Sequence, residues 1–170
     1  VDDLDTVRKL EDAGAAAITM HSVFEEQINR EQVASFVHTE SHGQSFAEAL
    51  TYFPSPEAFH LGPHEYLEHL RKVKQAVSVP VVGSLNGYTT GGWLEYARLI
   101  QDAGADALEL NVCSLGTNPQ ESGAQMELRT VQMVQAVRKA VRIPVAVKLS
   151  PYYTSLAHFA AKLDEAGADG

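Results

Sequence analysis

The chain reads as an α/β protein built on a TIM (β/α)8 barrel, present as a partial barrel. Two interleaved repeats and the order of its hydrophobic periodicities predict this. In the first repeat, Ala13-Gly14-Ala15-Ala16, Ala103-Gly104-Ala105-Asp106 and Ala166-Gly167-Ala168-Asp169 each follow a stretch with apolar residues at helical spacing. In the second, Val79-Pro80-Val81-Val82 returns 64 residues later as Ile143-Pro144-Val145-Ala146. Helical patterns and short apolar runs alternate through both repeats, which implies right-handed βαβ units and a parallel sheet. No Gly-x-Gly-x-x-Gly opens any helix, which favours a barrel over a dinucleotide-binding sheet.

Each element has a local reason. Leu4, Val7 and Leu10 share one helix face, and Gly14 suits the left-handed residue that closes a helix. A strand is expected at Ala16–Met20, with Thr19, His21 and Ser22 at its exit. A helix over about Glu65–Val77 precedes strand Val81–Leu85, which is entered through Pro80 and ends near Ser84 and Asn86. Helix Gly92–Ala103 leads to strand Ala107–Val112, which carries Glu109 and Asn111. Helix Gln125–Val141 leads to strand Val145–Leu149, which carries Lys148 ahead of Ser150, and helix Ser155–Ala166 follows. Apolar runs of this kind read as strands buried on both faces.

Four strands fall short of eight, and 170 residues fall short of the roughly 250 that such a barrel takes. Residues 1–170 are therefore expected to be a single partial barrel domain, truncated at both ends. Residues 22–63 exceed the short loops of regular units and are expected to be a long insertion or lid. Within them, Phe24–Val37 offers a sparse helical face of Phe24, Ile28 and Phe36.

Hydrophobic content of 45% and charged content of 21% are those of an ordinary globular chain. The formal net charge of −9 disfavours nucleic acid and anionic membrane as partners. Cys113 is the only cysteine, so no intrachain disulfide can form, and a cytoplasmic location is expected. No run approaches the roughly 18–20 apolar residues of a membrane span.

In a barrel, polar residues at strand C-terminal ends face the site. Asn86, Asn111 and Lys148 stand at equivalent places on successive strands. Amide side chains donate and accept, and a lysine supports developing negative charge, so this set suits a polar heterocycle. The plainer reading of each alone is a backbone-bonded amide or a salt-bridged lysine. His38 and His42, like His60 and His64, are four residues apart, but no carboxylate cluster completes a ligand set, and no metal site is expected.

The segments VPVVGSLNG, DALELNVCS and IPVAVKLSP resemble successive strand ends of the FMN-dependent dihydroorotate dehydrogenases. That family shows an Asn after one strand, Glu-Leu-Asn-x-Ser-(Cys/Ser)-Pro-Asn after the next, and Val-Lys-(Leu/Ile)-x-Pro after the third. The resemblance covers Val79–Pro151, and more weakly Ala16–Ser22. It implies a flavoprotein oxidoreductase that oxidises dihydroorotate to orotate in pyrimidine (UMP) biosynthesis. Asn86 and Asn111, with Ser84 beside them, would contact FMN, and Asn111 and Asn118 the substrate. Lys148 would lie at the polar end of the isoalloxazine and stabilise anionic reduced flavin. Ser114, three residues after Asn111, falls at the family's general base, with Cys113 the alternative if the loop shifts by one residue. The base would remove a C5 proton while hydride passes from C6 to the flavin. A small-molecule substrate is the expected partner, with a homodimer as one option for assembly.

The pattern departs from the family at Leu115-Gly116, which replaces Pro-Asn, and at His21, where the family often has Lys. Other readings therefore stand beside the first. They are an FMN barrel with another substrate or without a base, a tRNA-dihydrouridine synthase, a non-flavin lyase or aldolase using Lys148 as Schiff-base nucleophile, and a non-catalytic fragment.

Overall fold

Consecutive strands here pair side by side because each is returned to the sheet by a helix. The computed structural model describes residues 3–24, 63–87, 90–112 and 116–170. Within them the order is α1 (Leu4–Asp12), β1 (Ile18–Phe24), α2 (Pro63–Ala76), β2 (Val81–Asn86), α3 (Thr90–Asp102), β3 (Ala107–Val112), α4 (Gly123–Ala140), β4 (Val145–Leu149) and α5 (Leu156–Glu165). The sheet order is β1-β2-β3-β4, and every pair is parallel. This is half of a (β/α)8 barrel.

Side chains alternate across a strand, so the sheet has two unlike faces. Val81, Leu85, Leu108, Leu110 and Val145 are almost wholly buried, in one core with Val7, Leu70, Val73, Ile100, Val134 and Phe159 of the helices. Gly83 belongs to this helix-facing side: a Cβ there would stand 2.3 Å from Cγ2 of Ile100. The opposite face, which lines the inside of a barrel, carries Ser84, Glu109, Asn111 and Lys148 in facing register.

The sequence repeat has a physical meaning at the N-terminal end of the sheet. Asp106 Oδ2 accepts the Val81 N–H at 2.7 Å and pairs with Lys74 Nζ of α2 at 2.6 Å. One repeat later, Asp169 Oδ2 accepts the Val145 N–H at 2.9 Å and faces Arg138 Nε of α4 at 3.6 Å. Each aspartate thus ties a strand start to the preceding helix. A parallel device joins the helix ends: Glu11 takes the Ser78 N–H at 2.7 Å, and Gln101 the Arg142 N–H at 2.6 Å. Gly104 and Gly167, just before the aspartates, have φ of 97° and 98°, where a Cβ would be strained.

The elements expected outside residues 25–62 are present, with one strand displaced. The first strand runs over Ile18–Phe24, not Ala16–Met20. The Ala15 N–H still closes the end of α1 by bonding Leu10 C=O, and the ladder opens only at Ile18, whose N–H bonds Pro80 C=O. His21 and Ser22 therefore lie within the strand. Its register shifts between Thr19 and Ser22. Of the expected insertion over 22–63, residues 22–24 belong to β1 and Pro63 opens α2; the rest, with the expected Phe24–Val37 helix past its first residue, lies outside the described residues. Among the described residues, no helix is long and apolar enough to cross a membrane.

Candidate active site on the inner face of the sheet

Four strands place one continuous chain of hydrogen bonds on the inner face. Ser22 of β1 and Ser84 of β2 are register partners, and their hydroxyl oxygens are 2.7 Å apart. Ser84 faces Glu109 of β3 and donates its hydroxyl to Oε1 at 2.7 Å. The same Oε1 accepts from Lys148 Nζ of β4 at 2.8 Å. Asn111, two residues above Glu109 and opposite Lys148, donates through Nδ2 to Ser22 Oγ at 3.3 Å. Side chains from four separate strands thus meet because parallel register brings their inward positions level.

Burial grades the members of this chain. Ser84 is fully buried, whereas the Glu109 side chain is 19% exposed and Lys148 48%. Lys148 is therefore anchored at one side and open to solvent at the other. Asn111 has its Nδ2 engaged, while its Oδ1 is buried without a hydrogen-bond partner among the described residues. A buried carbonyl oxygen left alone is costly, and a ligand N–H would satisfy it.

Tyr66 of α2 supports the chain from behind. Its hydroxyl accepts the Ser84 N–H at 2.9 Å and donates to Ser84 C=O at 3.2 Å. These backbone groups lie beside the register shift of β1, where strand pairing is irregular. Burial pushes the Tyr66 hydroxyl up to about 12; the Ser84 backbone bond opposes this and the Glu109 charge adds to it. His21 packs edge-on against the Tyr66 ring, with centroids 5.2 Å apart.

Of the residues singled out from sequence, Ser84, Asn111 and Lys148 come together in this network. Asn86 ends β2 on the same face, half-buried and opposite Phe24. Asn118 is exposed, and its Oδ1 accepts the Gln120 N–H at 3.0 Å, so its side chain braces its own turn. Ser114 and Cys113 lie outside the described residues. Three participants were not singled out as site residues: Ser22, Glu109 and Tyr66. Glu109 stands two residues before Asn111, hence on the same strand face, and that spacing was a readable signal. Tyr66 sits in an amphipathic helix and carries no such signal.

The donor set fits the polar end of a flavin ring. That edge presents carbonyl oxygens and a ring N–H, which an ammonium and a free amide oxygen complement. Lys148 and Asn111 would hold it, with Asn86 beside them.

Comparison with known proteins bears on the family. The sequence model of the dihydroorotate dehydrogenase family matches residues 60–170. The catalytic subunit of dihydroorotate dehydrogenase B (NAD(+)) from Methanocaldococcus jannaschii is 31% identical over 121 residues, covering 64% of this chain and 37% of that protein. The corresponding subunit from Halalkalibacterium halodurans is 35% identical over 100 residues, covering 55% and 32%. The chain thus spans about a third of the length of the curated relatives it matches. Among solved structures, phosphonopyruvate hydrolase in complex with oxalate and Mg++ superposes with a TM-score of 0.60 at 16% identity, over 99% of this chain and 54% of that one. Dihydrodipicolinate synthase from Agrobacterium tumefaciens gives 0.58 at 13%, over 94% and 43%. At such identities these two matches speak for the barrel architecture alone. With the family model matching residues 60–170, well over half of the sequence, the chain belongs to the dihydroorotate dehydrogenase family.

Proposed function

We propose that this chain supplies the first half of the flavin site of an FMN-dependent oxidoreductase that oxidises dihydroorotate or a close relative of it. The observation that carries the reading is the pairing of Asn111 with Lys148 in register, one offering a buried free acceptor and the other a half-exposed cation. When bound, FMN would supply the hydride-accepting chemistry. The residues of the chain hold and polarise: Asn111 accepts a ring N–H, Asn86 contacts the ring or the substrate, and Lys148 places positive charge where reduction builds negative charge. Ser84 has its hydroxyl committed to Ser22 and Glu109, so its part is to fix Glu109 rather than to touch the ring.

Ser114, three residues beyond Asn111, is the general base in this reading, with Cys113 its alternative, and Asn118 an outlying substrate contact. Gly116 offers no side chain at the position where the family's pattern has an Asn. This is why the substrate class is drawn more widely than dihydroorotate itself.

The test is the visible spectrum of the full-length protein. A yellow protein carrying about one FMN per chain supports the reading, and stopped-flow reduction by dihydroorotate then identifies the substrate. A colourless protein that cannot be reconstituted with FMN overturns it. Lys148→Ala should weaken FMN binding or slow reduction; an unchanged flavin content and rate would remove Lys148 from the site.

A further inference from the structure

Glu109 puts a negative charge beside Lys148, the one cation of the inner-face network among the described residues, although an ammonium left alone stabilises an anion more. Its Oε1 takes two donors, the Ser84 hydroxyl at 2.7 Å and the Lys148 ammonium at 2.8 Å. Ser84 is itself fixed by full burial, by Ser22 and by the two Tyr66 bonds to its backbone. The carboxylate therefore hangs from a buried post in the rigid sheet, and the half-exposed lysine hangs from the carboxylate.

A free lysine spreads over many rotamers, and an exposed ion pair between two flexible chains contributes little. Here one partner is already ordered, so the pair can hold Lys148 in one place. It also dilutes the lysine. An ammonium favours an adjacent ring that becomes anionic on reduction, and a carboxylate 2.8 Å from that ammonium offsets most of its field.

We propose that Glu109 is a positioning residue that holds the Lys148 ammonium at the inner face and moderates its charge, and so sets the reduction potential of a flavin bound there; this rests on the flavin reading above. Glu109→Gln keeps an oxygen to accept from Lys148 and Ser84 but removes the charge. Glu109→Ala removes both the charge and the anchor. The two functions of the residue can therefore be separated.

The experiment is a redox titration of the full-length protein reconstituted with FMN, with dithionite as the source of two electrons and water as the source of the proton. Relative to wild type, Glu109→Gln should favour reduced over oxidised flavin by about tenfold, a rise of ~30 mV for a two-electron couple. Its affinity for oxidised FMN should stay within about threefold of wild type, or ~0.7 kcal/mol. Glu109→Ala should weaken oxidised FMN binding by about tenfold, and it should do so only while Lys148 is present, so that the loss vanishes in a Lys148→Met background. A merely structural role would lower stability in both variants and leave the potential where it was. A yellow Glu109→Gln protein whose potential lies within roughly 10 mV of wild type, about a twofold change, or below it, overturns the proposal and leaves the flavin reading standing. A wild-type protein that binds no FMN overturns both.

Discussion

The hydroxyl of Tyr66 holds both backbone polar groups of Ser84, accepting from its N–H at 2.9 Å and donating to its C=O at 3.2 Å. A helix side chain thus stands in for strand pairing beside the register shift of β1, at the residue on which the inner-face network turns. Tyr66→Phe should leave these buried groups unpaired and cost about 1–3 kcal/mol in urea unfolding. The hydroxyl is raised to about 12 by burial against an ordinary 10.0. A raised value means that the native state keeps its proton longer than the unfolded chain. The stabilisation is therefore complete below about pH 10 and lost as pH rises toward 12. Absorbance titration at 295 nm should show one tyrosine ionising near pH 12 that is missing in Tyr66→Phe. An identical titration curve for the variant would refute the assignment.

Lys74 and Asp106 make the opposite sign testable at the other end of the strands. Burial pushes the Asp106 carboxyl up, but the hydrogen bond from Lys74, the Val81 N–H and the Lys74 charge together hold it below the ordinary 3.8. A depressed value gives stability that is present above the unfolded pKa and lost as pH falls through the folded one. Asp106→Asn retains an acceptor for Val81 but loses the pair. Since both partners are about a third exposed, the expected cost at pH 7 is only about 1 kcal/mol. The gap between wild type and variant should be constant well above the ordinary 3.8 and should close as pH falls below it, through the depressed value. A gap that persists in acid would mean that the charge of Asp106 contributes nothing.

Gly83 is fixed by space rather than by dihedral. A methyl group there would meet Ile100 Cγ2 at 2.3 Å and Leu70 Cδ1 at 3.4 Å, and both neighbours are fully buried. Gly83→Ala should destabilise by about 1–3 kcal/mol through overpacking. Ile100→Ala opens the space that the new methyl needs, so the double variant should be less destabilised than the sum of the two singles. Strict additivity in thermal unfolding would show that α3 moves aside without resistance.

Much of this architecture is written locally. The Ala-Gly-Ala-Asp copies declare themselves because a left-handed glycine and a strand-tying aspartate both need particular residues. Asn111 and Lys148 could be placed on the inner face because a strand alternates with a fixed period. Other relations depend on register between distant segments. Ser22 reaches Ser84 across 62 residues, and only the shift in β1 brings them level. The two donors to Glu109, Ser84 and Lys148, likewise come from neighbouring strands, 25 and 39 residues away in sequence. The start of β1 was misplaced by two residues because nothing in Ala15-Ala16 distinguishes a helix closure from a strand entry.

Ser22 offers the most direct check that the network orients Asn111. Its hydroxyl takes the Asn111 Nδ2 donor, which leaves Oδ1 as the free buried acceptor of the amide. Ser22→Ala removes that contact together with the bond to Ser84, and should cost about 1 kcal/mol of stability. Once unanchored, the amide can turn, so oxidised FMN should bind about three- to tenfold more weakly, corresponding to ~0.7–1.4 kcal/mol. Asn111→Leu removes the acceptor itself and should weaken binding further, whereas Ser22→Ala in the Asn111→Leu background should add almost nothing to that loss. Isothermal titration of FMN into the four proteins decides it. If the losses from Ser22→Ala and Asn111→Leu simply add, Ser22 does not act through Asn111.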